Sequence, residues 1–345
     1  MSLSLLGEIA MAEAWILHKA KPVEQTPLVR TDLSELRCNS NEIEIEISAC
    51  GVCHTDLHIV EGELELPRLP IVPGHQIVGI VRCKGSSVTN HNLGDRVGVP
   101  WLYSSCQQCE YCRQGKENLC AQAQFTGFHV HGGFSERILV QQEYAYHLPD
   151  SYDDLHAAPL LCAGIVGFRA LRVAGVCPGE RVGLYGFGAS AHLAIQVLLH
   201  WDCECYVFSR SAQHRQLAMK LGAFWTGQAG ERPPRKLHRA IIFAPAGWIM
   251  VEALKDCAPG GVVTSGGIYM DPIPQFPYSL LWQERCINSV ANATRQDGHD
   301  FLQIARQTTL QTEIEVFPFD KVNHVLLLLK QSKLKAAAVL QRNPT

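Results

Sequence analysis

Gly186-Phe187-Gly188-Ala189-Ser190-Ala191 follows a short apolar run, Val182 to Tyr185, and opens a helix-patterned one, Ala189 to His200. A strand that enters a helix through such a turn must return by a crossover. Repeating that step builds a parallel sheet with helices on both faces. The sequence repeats it. Strand-like Cys205 to Phe208 precedes helix-like Ala212 to Leu221, and strands near Ala240 to Phe243 and Gly261 to Thr264 flank a helix near Trp248 to Cys257. In the glycine turn, Gly186 permits the tight bend and Gly188 lets backbone approach a pyrophosphate. Ala191 stands where a third glycine would allow close helix–strand packing. Phosphate oxygens can then meet the exposed N–H groups of the helix start, including those of Phe187 and Ala189. Taken alone, the motif also fits a tight turn that binds nothing.

Residues 12 to 160 have a different rhythm. Glu42-Ile43-Glu44-Ile45-Glu46-Ile47 alternates as a half-buried strand does, and Ile77 to Arg82 and Arg96 to Val99 are further short strands between glycine turns. Such a segment predicts a small, partly closed β-structure, with a generic β-sandwich as the alternative. Leu160 to Val173 reads as a helix, Glu231 to His238 as an exposed loop, and the pattern is lost after Asn292.

Cys106, Cys109, Cys112 and Cys120 lie within fifteen residues. Four thiolates at this spacing can close a tetrahedral zinc site with no position left for substrate, so the site is structural and its binding energy helps fold the lobe. A nucleic-acid-binding zinc module would need a basic stripe, but only Arg113 and Lys116 lie between the ligands. A second constellation, Cys53-His54-Thr55-Asp56-Leu57-His58 with Pro73-Gly74-His75, offers a thiolate, an imidazole, a hydroxyl and a carboxylate. Catalytic zinc commonly takes three protein ligands and keeps one open position. Cys53 and His75 can supply two, and Cys162 is the best candidate for the third.

Net charge is −3 over 345 residues, which gives no reason to expect nucleic acid or an anionic membrane as partner. Met1 to Met11 carries neither a basic leader region nor a cleavage signature, and no apolar run reaches the length of a membrane span. The fourteen cysteines do not form a short secreted framework, so reduced thiols in the cytoplasm are expected, some as metal ligands and others in the core.

Together these motifs resemble the zinc-dependent alcohol dehydrogenases of the medium-chain dehydrogenase/reductase superfamily, especially the shorter tetrameric microbial type. The resemblance runs from about Met11 to Leu340 and is most specific at Cys50 to His58, in the four-cysteine lobe and at Pro159 to Gly164. It implies an α/β chain, with a GroES-like catalytic domain at 1–163 carrying the zinc lobe at about 104–122. A Rossmann coenzyme domain would occupy 164–292, and 293–345 would return to the catalytic domain. It implies two zinc ions per chain, an active site in the cleft between domains, and a homotetramer or homodimer. Carried over, Cys53, His75 and Cys162 would hold the catalytic zinc, and Asp56 would orient the His75 ring. Thr55 would take the alcohol proton and His58 would pass it to solvent. His54 would lie near the pyrophosphate, and Trp101 would wall the substrate pocket.

The chain also departs from the family pattern. Gln76 stands where a glutamate often follows the ligand histidine. Leu64 replaces a tryptophan that narrows the pocket, which implies more room for substrate. Leu334 to Ala338 lacks the pyrophosphate-binding arginine of relatives, which Arg210, Lys335 or His54 could replace. At the end of the second Rossmann strand, where NAD enzymes place a carboxylate, stand Ser209-Arg210-Ser211. A hydroxyl and a guanidinium suit a 2′-phosphate, with His214 and Arg215 adding positive field, so NADP is favoured over NAD. The activity implied is hydride transfer between a primary alcohol, or the aldehyde, and the nicotinamide. The alternatives are a polyol or secondary-alcohol dehydrogenase with the same motifs, and a dinucleotide-binding protein without catalysis.

Overall fold

The computed structural model describes residues 12–33 and 36–342, so the leader expectation for Met1 to Met11 lies outside the described residues. Two units divide the chain. Among the described residues, the first comprises those within 12–107, 121–161 and 313–342, and the second comprises 108–120 and 162–312.

The first unit is built on the strand Glu42–Val52, which pairs antiparallel with Gln76–Lys84, Arg137–Gln141 and Ala337–Gln341. Strand Gln76–Lys84 pairs in turn with Arg96–Val99, and that strand with Tyr146–His147. The alternation read at Glu42 to Ile47 is realised on the sheet. Ile43, Ile45 and Ile47 are at most 1% exposed, and Glu44 turns to an ion pair with Arg137 at 3.1 Å. Burying these branched side chains stabilises the sheet by about 1.5–3 kcal/mol each. The strand runs on past the alternating stretch to Val52, delivering Cys53 to the start of the helix His54–Glu61.

The second unit is the expected parallel sheet, in the order Trp225–Gly227, Glu204–Phe208, Arg181–Tyr185, Leu237–Ile242, Cys257–Ser265, Cys286–Ser289. Strand order reverses at Arg181–Tyr185, so its carboxyl end is the switch point where doubly wound sheets leave a crevice for ligand. The helices Ala189–His200 and Ala212–Leu221 have the bounds read from sequence. Under the sheet, fully buried Asp256 accepts from the Tyr185 hydroxyl and from Arg232, both at 2.8 Å, so its charge is paired rather than isolated.

Three expectations need correction. The second unit continues to residue 312 instead of ending at 292. The helix Arg295–Gln307 begins in a Thr294–Asp297 capping box and packs back on the helix Ala163–Val173, burying Phe301, Leu302 and Ala305. Phe301 lies so close that a Cβ at Gly164 would sit 2.4 Å from its ring, and Arg169 pairs with buried Asp297 at 3.2 Å. Residues 108–120 also group with the second unit, because Asn118 donates to the Ala291 carbonyl at 2.7 Å and Glu117 pairs with Arg295 at 3.3 Å. Finally, Leu237 and His238, read as the end of an exposed loop, open a strand, and Leu237 is buried in the core.

Candidate metal and coenzyme sites

Cys53 is the residue before the first turn of the helix His54–Glu61, in extended conformation. Its side chain stands at the helix N-terminus and accepts from the Asp56 N–H. Asp56, fully buried in that turn, accepts three hydrogen bonds. They come from the Cys53 N–H at 2.9 Å, the Gly74 N–H at 3.2 Å and His75 Nδ1–H at 3.0 Å. One carboxylate thus ties the helix start to the loop carrying His75 and fixes the ring tautomer. Nε2 is left facing Cys53 Sγ at 3.4 Å. Burial opposes charge on the His75 ring, but Asp56 and Cys53 outweigh it and hold its pKa well above the ordinary value.

Cys162 directly follows Leu161, the last residue of the first unit in that stretch, so the peptide bond to Leu161 carries it to this group. Ligand atoms of Cys53, His75 and Cys162 all lie within 4.8 Å of one another. A thiolate and an imidazole on one tetrahedral zinc stand roughly 3.5 Å apart, so the Cys53–His75 spacing fits the ion without rearrangement. The sulfur atoms of Cys106, Cys109, Cys112 and Cys120 likewise lie within 4.8 Å of one another, with Cys109 and Cys112 at 3.5 Å. Sulfurs around tetrahedral zinc are roughly 3.8 Å apart, so this set also fits, with four ligands and no open position.

Thr55 and His58 are one turn apart and share a face of the helix, both partly exposed, while Asp56, Leu57, Ile59 and Val60 are buried. His58 donates through Nδ1 to Glu63, which leaves Nε2 as its proton acceptor. His54 is exposed, with its ring 6.3 Å from that of His58. Trp101 stands edge-on to His75 at 5.0 Å and stacks on Phe125 at 5.2 Å, with Phe128 at 5.9 Å. The sequence reading missed Phe125, Phe128 and Glu63. Glycines around Phe128 hinted at a turn, but nothing in the local pattern pairs these rings with Trp101. Gln76 is buried, its amide packed so closely on Gly51 that a Cβ there would lie 2.7 Å from Oε1. Leu64 is half-buried in the bend after the helix.

In the second unit Gly186 has φ +92°, and a Cβ there would lie 2.9 Å from the Ala244 nitrogen, so the turn requires glycine. At Gly188, the residue before the helix, a Cβ would meet nothing within 4 Å. Exposed Gly188 and Ala189 thus leave open space at a helix N-terminus, where a pyrophosphate fits. Phe187 is instead buried, 6.4 Å from the His192 ring. Ser209 is buried, and its hydroxyl accepts from the Ser211 N–H at 3.3 Å. Arg210 is exposed, and its guanidinium makes no ion pair among the described residues. Arg215, expected to add positive field here, donates to the Ser209 and Arg210 carbonyls at 2.6 and 3.1 Å, bracing the loop.

Residues 39–150 match the family model described as alcohol dehydrogenase GroES-like domain. The chain is 41% identical over 337 residues to a probable alcohol dehydrogenase, AdhA, of Mycobacterium tuberculosis, with 96% of this chain and 97% of the relative covered. The chain belongs to the zinc-dependent alcohol dehydrogenase family. Within that alcohol dehydrogenase family it is also 35% identical to NADP-dependent alcohol dehydrogenase C 1 of Mycolicibacterium smegmatis, over 86% of this chain and 89% of the other. Among solved structures it is similar to a cinnamyl alcohol dehydrogenase from Sorghum bicolor. The two are 27% identical with a TM-score of 0.86, over 96% of this chain and 98% of that one.

Proposed function

We propose that this chain interconverts primary alcohols and aldehydes with two zinc ions per chain and NADP as the favoured coenzyme. The observation that carries the reading is the three-ligand group Cys53, His75 and Cys162 set at the start of the helix bearing Thr55 and His58. Zinc held there would supply a Lewis acid for the substrate oxygen, and a bound nicotinamide would supply the hydride acceptor or donor. The chain's own groups position the reaction and move the proton. Asp56 holds the His75 ring so that Nε2 faces the ligand group. The Thr55 hydroxyl receives the alcohol proton, and His58, held by Glu63, carries it to solvent. Trp101, backed by Phe125 and Phe128, gives the substrate an apolar wall beside His75. The four-cysteine group would hold the second zinc as a staple for its lobe.

At the coenzyme, Arg210 is the cation available to a 2′-phosphate, with Ser209 beside it and no carboxylate at the strand end to repel the charge. A cytoplasmic location is supported by fourteen cysteines none of which forms a disulfide. Self-association into a homotetramer or homodimer is supported by Ile268, Tyr269, Ile273, Tyr278 and Trp282, all 45–69% exposed close to the end strand Cys286–Ser289. The deciding experiment combines metal analysis with turnover of a panel of primary, secondary and polyol substrates with NADP and with NAD. Two zinc ions per chain and the highest kcat/KM for a primary alcohol or aldehyde with NADP are expected. A zinc-replete protein that turns over none of the panel would overturn the reading.

A further inference from the structure

Away from both zinc groups, the turn between the strands Gln76–Lys84 and Arg96–Val99 brings His91 and Asp95 to His147, at the end of Tyr146–His147. One ring nitrogen of each histidine and one oxygen of Asp95 lie within 4.8 Å of one another, and the two imidazoles are 4.7 Å apart between ring centres. Backbone carbonyls determine both tautomers. His91 Nε2 is 3.0 Å from the Gln142 carbonyl, and His147 Nε2 is 3.0 Å from the Asn90 carbonyl. A carbonyl only accepts, so each Nε2 carries the proton and each Nδ1 carries the lone pair. His91 is 2% exposed, and its Nδ1 is a buried acceptor with no hydrogen-bond partner among the described residues. Buried polar groups are rarely left so, and this one belongs to a ring already held by its other nitrogen.

We propose that His91, His147 and Asp95 form a third metal site, for a divalent cation of the zinc and cobalt type. Metal-bound histidines characteristically donate their other ring N–H to a carbonyl or carboxylate, and both rings are already held in that way. Two imidazoles and a carboxylate suit such ions, which accept nitrogen and oxygen donors and complete their coordination with water. Donor atoms on tetrahedral zinc stand roughly 3.4 Å apart, so the three groups, now within 4.8 Å of one another, would draw together around the ion. Asp95 supplies one oxygen while its Oδ2 accepts from the Asn92 N–H at 2.7 Å. An ion here would clip the hairpin turn to the neighbouring strand, where His147 pairs with Val97. Its role would be to brace the sheet edge, with no part in the redox reaction.

The test uses the full-length enzyme with its cysteine sites loaded with zinc, dialysed against micromolar Co²⁺. Total metal per chain and the visible spectrum are compared between wild type, His147→Ala and Asp95→Asn. Wild type should bind one metal ion more than His147→Ala. The difference spectrum should show cobalt d–d bands without sulfur-to-cobalt charge transfer. Asp95→Asn should weaken the extra ion at least tenfold, and alcohol turnover by the zinc-loaded variants should match wild type. Exchange of cobalt into the thiolate sites would be common to all three proteins and cancels in the difference. Equal metal content in wild type and His147→Ala would overturn the proposal, as would a charge-transfer band in the difference spectrum.

Discussion

Replacing Asp56 by asparagine changes one atom at the junction of helix, loop and ligand histidine. Asp56 Oδ1 accepts from Gly74 N–H and His75 Nδ1–H, and Oδ2 accepts from Cys53 N–H. Asparagine has one acceptor oxygen, so either its amide N–H₂ faces the Cys53 N–H or it faces the other two donors. In the better orientation one buried donor is lost, and the bonds that remain lose their charge assistance. An unsatisfied buried donor costs about 1–3 kcal/mol, so Asp56→Asn should destabilise by about 2–4 kcal/mol. Asp56→Ala leaves all three donors without a protein partner and should cost more, a large part of the 5–15 kcal/mol typical of a domain. Loss of the group that orients a ligand histidine typically weakens metal binding by about 10–100-fold. Urea unfolding with and without chelator, together with zinc per chain, separates the two effects. The loss of backbone hydrogen bonds should persist in chelated protein, and the loss of metal affinity should show only with zinc at limiting concentration. If Asp56→Asn unfolded within about 0.5 kcal/mol of wild type and kept its catalytic zinc, this account of the junction would be wrong.

Three further outcomes are expected. Cys106→Ser should reduce folding stability or soluble yield, whereas Cys162→Ser should abolish turnover and leave the unfolding midpoint nearly unchanged; equal effects on stability would contradict the division into closed and open sites. Thr55→Val should lower kcat by about 10²- to 10⁴-fold with zinc content intact, and His58→Gln much less, because water can replace a distal proton carrier. Near-normal turnover by Thr55→Val would mean the proton leaves by another route. Ser209→Asp should shift the ratio of kcat/KM for NADPH over NADH towards NADH, because the new carboxylate repels a 2′-phosphate beside Arg210. Wild type that clearly prefers NADH would show that Ser209 and Arg210 do not read the phosphate.

Much of this protein was decided within short windows of its chain. The parallel sheet was legible because the glycine turn at Gly186 and the alternating strands and helices after it are local patterns. The helices Ala189–His200 and Ala212–Leu221 accordingly end where the sequence ends them. The grouping of Cys106, Cys109, Cys112 and Cys120 was legible too, since thiolates have few bland reasons to recur at two-residue spacing. Tertiary structure decided what depends on contacts between distant segments. Phe125 and Phe128 become the backing of Trp101 only when the strand Gln124–Phe125 pairs with Leu102–Ser104. The helix Arg295–Gln307 joins the second unit because Phe301 finds the gap left by Gly164, 137 positions earlier in the chain. That Arg215 also braces the loop, capping the Ser209 and Arg210 carbonyls, shows only once the loop is folded. His91 and His147 meet because strand pairing sets Val97 against His147. Periodicity and motif spacing report forces within a turn or a strand, whereas packing and strand pairing join residues whose separation in sequence carries no signal of their distance in space.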